Sequence, residues 1–159
     1  MLASAAAAAV IVLSGGTTTP WTLEASHTKL GGMPGVCIDL KAQNTGGGHA
    51  CLAGTNPLKS YGNVLQFGVS SKSGETTTTN VIGGMTINTA RTAKATFEDG
   101  TVVTLRAKAK KAWRRAFGRK VRWFGADVVA KTGATLKTVS VYDRNGKRVG
   151  RFHTPRTSR

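Results

Sequence analysis

Two cysteines, three histidines and a dense run of cations are the residues of this 159-residue chain whose types and spacing could do chemistry. Cys37 and Cys51 are the only thiols, and His49 stands between them. Donors placed this way can make a disulfide with a bystander histidine, or a metal set. Structural zinc sites space their ligands as Cys-x-x-Cys followed by a second Cys or His pair, and the chain has neither. A Cys37–Cys51 disulfide is therefore expected, with no metal and no cofactor. An even thiol count of this kind fits an oxidising compartment. In the chain-entropy model, closing a loop of roughly 15 residues stabilises by about 3 kcal/mol. The bridge would order a segment, Asn44-Thr45-Gly46-Gly47-Gly48, that is otherwise loose.

Catalytic patterns are thin. His27, His49 and His153 lie far apart, and no His-Glu-x-x-His, Gly-x-Ser-x-Gly or phosphate-loop sequence occurs. Ser26-His27-Thr28-Lys29 matches Ser-x-x-Lys, and Lys131-Thr132-Gly133 matches Lys-Thr-Gly, both elements of serine β-lactamases. That chemistry needs the Ser at a helix start, whereas Ser26 falls in an extended segment and the Ser-Asp-Asn element is missing. Glu98-Asp99 reads as turn chemistry rather than as a pair of carboxyls held about 5–10 Å apart, as a glycosidase requires. No enzymatic activity is expected.

The cations are distributed unevenly. Of a net charge of +16, residues 1–90 carry +1 and residues 91–159 carry +15. Eight cations fall within Lys108–Arg122: Lys108, Lys110, Lys111, Arg114, Arg115, Arg119, Lys120 and Arg122, with Trp113, Phe117 and Trp123 among or beside them. Such a cluster makes a field of several kT and recruits polyanions. The plainer reading is a solvated face that keeps the domain soluble, with both tryptophans in the core. Helix-turn-helix, zinc-finger and RNA-binding strand signatures are all lacking, so sequence-specific nucleic-acid binding is not expected. A basic helix with Trp and Phe on its apolar side is also suited to a membrane surface.

The elements that must position these residues are mostly strands. At 40% hydrophobic content the chain is not fully disordered, and its length suits one domain. Strand candidates are Trp21–Leu30, Gly35–Lys41, Asn63–Ser70, Asn80–Thr86, Ala93–Glu98, Val102–Ala107, Lys120–Val129, Thr138–Tyr142 and Arg148–Phe152, with the stretch Ala42–Ser60 read as irregular. Asp99-Gly100 and Asn145-Gly146 supply hairpin turns. In Ala109–Phe117 the apolar residues recur at helical spacing and Gly118 follows where a C-cap belongs. The expected fold is all-β: an antiparallel sandwich or barrel-like domain of about eight short strands, with one short helix near 109–117.

The layout resembles exported or membrane-tethered β-rich domains of actinobacteria that have no assigned activity. The resemblance rests on Trp21 and Leu23, the Val36-Cys37-Ile38 strand, a second Cys in a Gly-rich loop, Phe97–Val103, Val121–Val128 and the ending Val141–Gly150. It implies export and a β fold, and no mechanism. The uncharged apolar run Ala5–Leu13, followed by Ser14, Gly15, Gly16 and the Thr tract to Pro20, points the same way. Residues 1–19 read as a signal peptide or an N-terminal anchor, residues 20–153 as one β-rich extracellular domain and 154–159 as a basic tail. The expected protein is thus an exported, non-catalytic domain, extracellular or envelope-associated. Its basic face would bind anionic wall polymer, acidic glycan or lipid headgroups. The alternative is an accessory domain of a membrane-tethered envelope protein, in which the charge is incidental and the partner is another protein. Oligomeric state is not legible.

Overall fold

The computed structural model describes residues 8–16, 19–42, 46–53, 63–68, 74–118 and 120–153. Within them the chain forms β1 (Val10–Gly15), β2 (Trp21–Leu30), β3 (Met33–Ala42), β4 (Gly46–Ala53), β5 (Asn63–Gly68), β6 (Thr77–Ile87), β7 (Thr92–Phe97), β8 (Val102–Arg106), β9 (Lys108–Ala109), α1 (Lys111–Phe117), β10 (Val121–Lys131), β11 (Leu136–Tyr142) and β12 (Arg148–His153). The strands make three four-stranded antiparallel sheets: A, ordered β1-β2-β3-β4; B, ordered β5-β6-β10-β9; and C, ordered β12-β11-β7-β8.

Sheet B is the middle layer of three. Side chains alternate between the two faces of a strand, and in β6 and β10 both faces are apolar. Val81, Met85, Val121 and Trp123 pack with Val12, Leu23, Val36, Ile38 and Leu40 of sheet A. Ile82, Phe124, Val128 and Ala130 pack with Ala93, Ala95, Phe97, Leu136, Val139 and Val141 of sheet C. A two-sheet sandwich has no such layer; here one strand pair serves two cores. Glycines make the A–B contact close. Gly83 and Gly125 are register partners; a Cβ on Gly83 would stand 2.9 Å from Leu40 Cδ1, and one on Gly125 would stand 2.6 Å from Trp21 Cη2. The Gly83-Gly84 dipeptide therefore lies inside a continuous strand, where Gly83 admits the large Leu40 side chain from the facing sheet.

One further segment differs from expectation. The stretch read as irregular contains β4, paired residue by residue with β3 from Gly35↔Ala53 to Ala42↔Gly46. Its glycines are there because the backbones approach closely: a Cβ on Gly47 would collide with the Leu40 carbonyl oxygen. Part of the apolar N-terminal run is β1, which pairs with β2 and buries Val12 and Leu13 in the A–B core. The expected hairpins are present. Asp99 accepts from the Thr101 N–H at 2.9 Å and from the Lys131 N–H at 2.8 Å, tying the β7–β8 turn to the end of β10.

The segment after that hairpin positions the cations. β8 pairs with β7 in sheet C, and two residues later β9 pairs with β10 in sheet B. Ala107 is the crossing point, with its N–H bonded to Arg91 O at 2.8 Å. Helix α1 then closes the end of the A–B core. Its Trp113 is 1% exposed, stacks on His27 at 5.2 Å, and meets Trp123 edge-on at 4.9 Å. Gly118, at φ 67°, ends the helix by donating its N–H to Arg114 O. Seven residues are too few for a helix that stands alone in water; the buried tryptophan holds it.

Candidate functional site

Of the eight expected cations, seven lie in the described residues; Arg119 falls outside them. Those seven occupy one end of the molecule. Lys108 is on β9 opposite Trp123, Lys110 is the helix N-cap, and Lys111, Arg114 and Arg115 are on α1. Lys120 precedes β10, and Arg122 is on it opposite Ala109. Lys108, Lys111, Arg114, Arg115 and Lys120 are exposed, and Lys110 is half-buried. Among the described residues none of the seven makes an ion pair. The short helix has no acidic residue in its first turn, while Arg114 and Arg115 lie in its last turn, where the helix dipole favours positive charge.

Arg122 is held differently. Its Nε donates to Asn88 O at 2.9 Å and its Nη1 to Ala107 O at 3.1 Å. It thereby fastens the crossing strand to the loop after β6. Arg91 reaches the same carbonyl: its Nη1 donates to Asn88 O at 2.8 Å and to Ala90 O at 3.1 Å. Burial, and then the neighbouring Arg91 charge, pull the Arg122 pKa below its ordinary value. Two guanidinium groups thus share one neutral acceptor. Arg91 and Arg106, which ends β8 beside the crossing point and is exposed, join the cationic end, although both lie outside the Lys108–Arg122 run. Local charge density does not point to them; the hairpin that returns Arg91 to the side of Ala107 does.

The aromatic residues among these cations are packing groups. Trp113 and Trp123 are buried, and half-buried Phe117 lies 4.3 Å from Trp113 and 4.4 Å from His27. The apolar side of α1 is therefore occupied by the core, and what the helix presents to solvent is charge.

A second constellation lies on the outer face of sheet A. Register places Glu24, Asp39 and His49 in one row, and Ser26, Cys37 and Cys51 in the next. Cys37 and Cys51 form the expected disulfide, with Cα atoms 4.0 Å apart. His49 Nδ1 lies 2.7 Å from Asp39 Oδ1, and its Nε2 lies 3.2 Å from Cys51 Sγ. Lys41 donates to Glu24 at 2.8 Å, and that carboxylate raises the lysine pKa. Ser26 and Lys29 are three residues apart on strand β2, so they alternate to opposite faces and do not form a Ser–Lys pair.

The fold and these two surfaces define a three-layer antiparallel β protein with one cationic end and one cystine-bearing face. No family model, curated protein or solved structure matches the chain. Its disulfide fits an oxidising, extracellular-type environment. Among the described residues no helix is long and apolar enough to cross a membrane.

Proposed function

We propose that this is a non-catalytic envelope-associated domain that binds an anionic polymer or headgroup surface through the β9–α1–β10 end. The observation that carries the reading is that seven cations, five of them exposed and none with a carboxylate partner among the described residues, converge on one end of the fold. On the outer face of sheet A, by contrast, Lys41 is paired with Glu24. The Arg91–Arg122 pair strengthens the reading. Like charges held together by neutral carbonyl oxygens repel one another, and a phosphate or carboxylate between them removes that repulsion and accepts their remaining N–H groups. With Trp113 in the core, association is electrostatic and does not involve helix insertion.

The test is retention of the purified protein on anionic vesicles and on an anionic polymer matrix across a salt series. Screening shortens from about 10 Å at 0.1 M salt to about 3 Å at 1 M, so retention at low salt should be lost at high salt. The double reversal Arg114→Glu with Arg115→Glu, both exposed, should abolish low-salt retention and lower stability only by the dipole cost of two misplaced charges in the last helical turn, about 0.3–1 kcal/mol each. Retention that ignores salt sinks the reading and favours an accessory domain whose charge is incidental.

A further inference from the structure

We propose that the outer face of sheet A is a redox-gated zinc site. Once the disulfide is reduced, Cys37 Sγ, Cys51 Sγ and His49 Nε2 bind one divalent zinc-class ion, with a water in the fourth position. This inference does not depend on the cationic end.

Two independent features lead there. The first is the donor geometry. The two sulfurs and the imidazole nitrogen all lie within 4.8 Å of one another. In tetrahedral zinc sites Zn–S is about 2.3 Å and Zn–N about 2.0–2.1 Å, which separates two sulfurs by about 3.7 Å and a sulfur from a nitrogen by about 3.5 Å. Cys51 Sγ and His49 Nε2 already stand 3.2 Å apart. The sulfurs, once unbonded, reach the required separation by side-chain rotation on directly paired residues of β3 and β4. No strand has to move.

The second feature is Asp39. Metal-bound histidines commonly donate their other ring N–H to a carboxylate, which fixes the tautomer and aims the lone pair. His49 Nδ1 lies 2.7 Å from Asp39 Oδ1, and in the tautomer that donates from Nδ1 to that carboxylate the lone pair is on Nε2, the atom facing the sulfur. Asp39 is the carboxylate next to the site; its register partner Glu24 is already paired with Lys41.

The chemistry balances with a thiol as reductant. Two equivalents of a small-molecule thiol transfer two electrons to the Cys37–Cys51 bond, giving two protein thiols and one small-molecule disulfide. Zinc then displaces the two thiol protons, and the imidazole binds through its lone pair without losing a proton. Reoxidation removes both sulfur ligands together, so the same two residues are either a staple or a site.

The experiment uses the full chain, reduced by a phosphine in the absence of oxygen and titrated with Co²⁺ as the spectroscopic probe. The expected result is one equivalent bound, with thiolate-to-cobalt charge-transfer absorption and tetrahedral d–d bands, and neither signal in the oxidised protein. Zn²⁺ should bleach both. His49 is an exposed side chain, so His49→Ala should fold, retain the disulfide when oxidised, and lose the tetrahedral bands when reduced. Asp39→Asn should weaken binding about 10–100-fold. The proposal is overturned if reduced protein binds Co²⁺ no more tightly than Cys37→Ser, if the spectrum lacks the thiolate band, or if reduction abolishes the β circular dichroism.

Discussion

The outer face of sheet A and the cationic end of sheets B and C are assembled in opposite ways. On sheet A the reactive groups come from three strands and meet through register: Glu24 opposite Asp39, Asp39 opposite His49, Cys37 opposite Cys51. Each charged or sulfur group there has a partner within hydrogen-bonding or covalent reach. The cationic end draws most of its residues from one continuous stretch, and among the described residues they make no ion pair. One region is thus specified by geometry and the other by composition. A site of the first kind fails when a strand slips by a residue, since every side chain then changes face. A site of the second kind tolerates rearrangement, because a field summed over many charges depends weakly on any one position.

The largest expected effect that would sharpen this contrast comes from Trp113→Ala. Truncating a fully buried tryptophan typically costs about 3–5 kcal/mol, read as a lower urea midpoint. Polyanion retention should fall with it because α1 loses its anchor, while the Cys37–Cys51 bridge still forms. Unchanged retention would show that the charges act without the helix as their frame. Next comes the double Cys37→Ser, Cys51→Ser variant. Loss of a loop closure of roughly 15 residues should lower stability by about 3 kcal/mol, with retention on anionic vesicles intact. A loss of retention there would show that the cystine face and the cationic end are coupled.

Arg122→Lys separates structure from binding within the cationic end itself. It keeps the charge but cannot bridge Asn88 O and Ala107 O with one planar fork, so stability should drop by about 1–2 kcal/mol while salt-dependent retention persists. A matching loss of retention would show that the planar fork, and not the charge alone, holds the ligand at the Arg91–Arg122 pair. The smallest effect concerns acid. Asp99 is held below the usual carboxylate value by the backbone N–H groups of Lys131 and Thr101. Its stabilisation is complete above the ordinary carboxylate pKa and is lost as pH falls through the lower folded value. Asp99→Asn should flatten the acid limb of the stability profile, measured by thermal unfolding between pH 2 and 6, and change neither surface. An unaltered acid limb would show that the carboxylate is not what locks the turn.

How much was legible follows the range of each interaction. The Asp99-Gly100 hairpin, the C-cap at Gly118 and a helix near 109–117 rest on neighbours within a few residues, and all are present, the helix running over Lys111–Phe117 because Ala109 is taken by β9. The cystine was legible because only two thiols exist. Strand β4 was not, since glycines that usually punctuate loops here permit close contact with the Leu40 carbonyl. The middle layer was not either: Val81, Ile82, Phe124 and Trp123 look alike in sequence, and only packing sends them to different cores. Arg91 gave no local signal, as its place beside Arg122 comes from the path of β7 and β8.

By itself the amino-acid order determined an antiparallel β fold, one disulfide, one short helix and a strongly cationic second half, because turn chemistry, thiol count and charge are local or additive properties. Tertiary structure alone decided that Trp113 and Trp123 are core rather than platform, that Arg122 fastens a crossing strand, and that Asp39, His49 and the two sulfurs share one face. Those outcomes depend on which residues stand opposite one another across strands and layers, and register is a property of the whole fold.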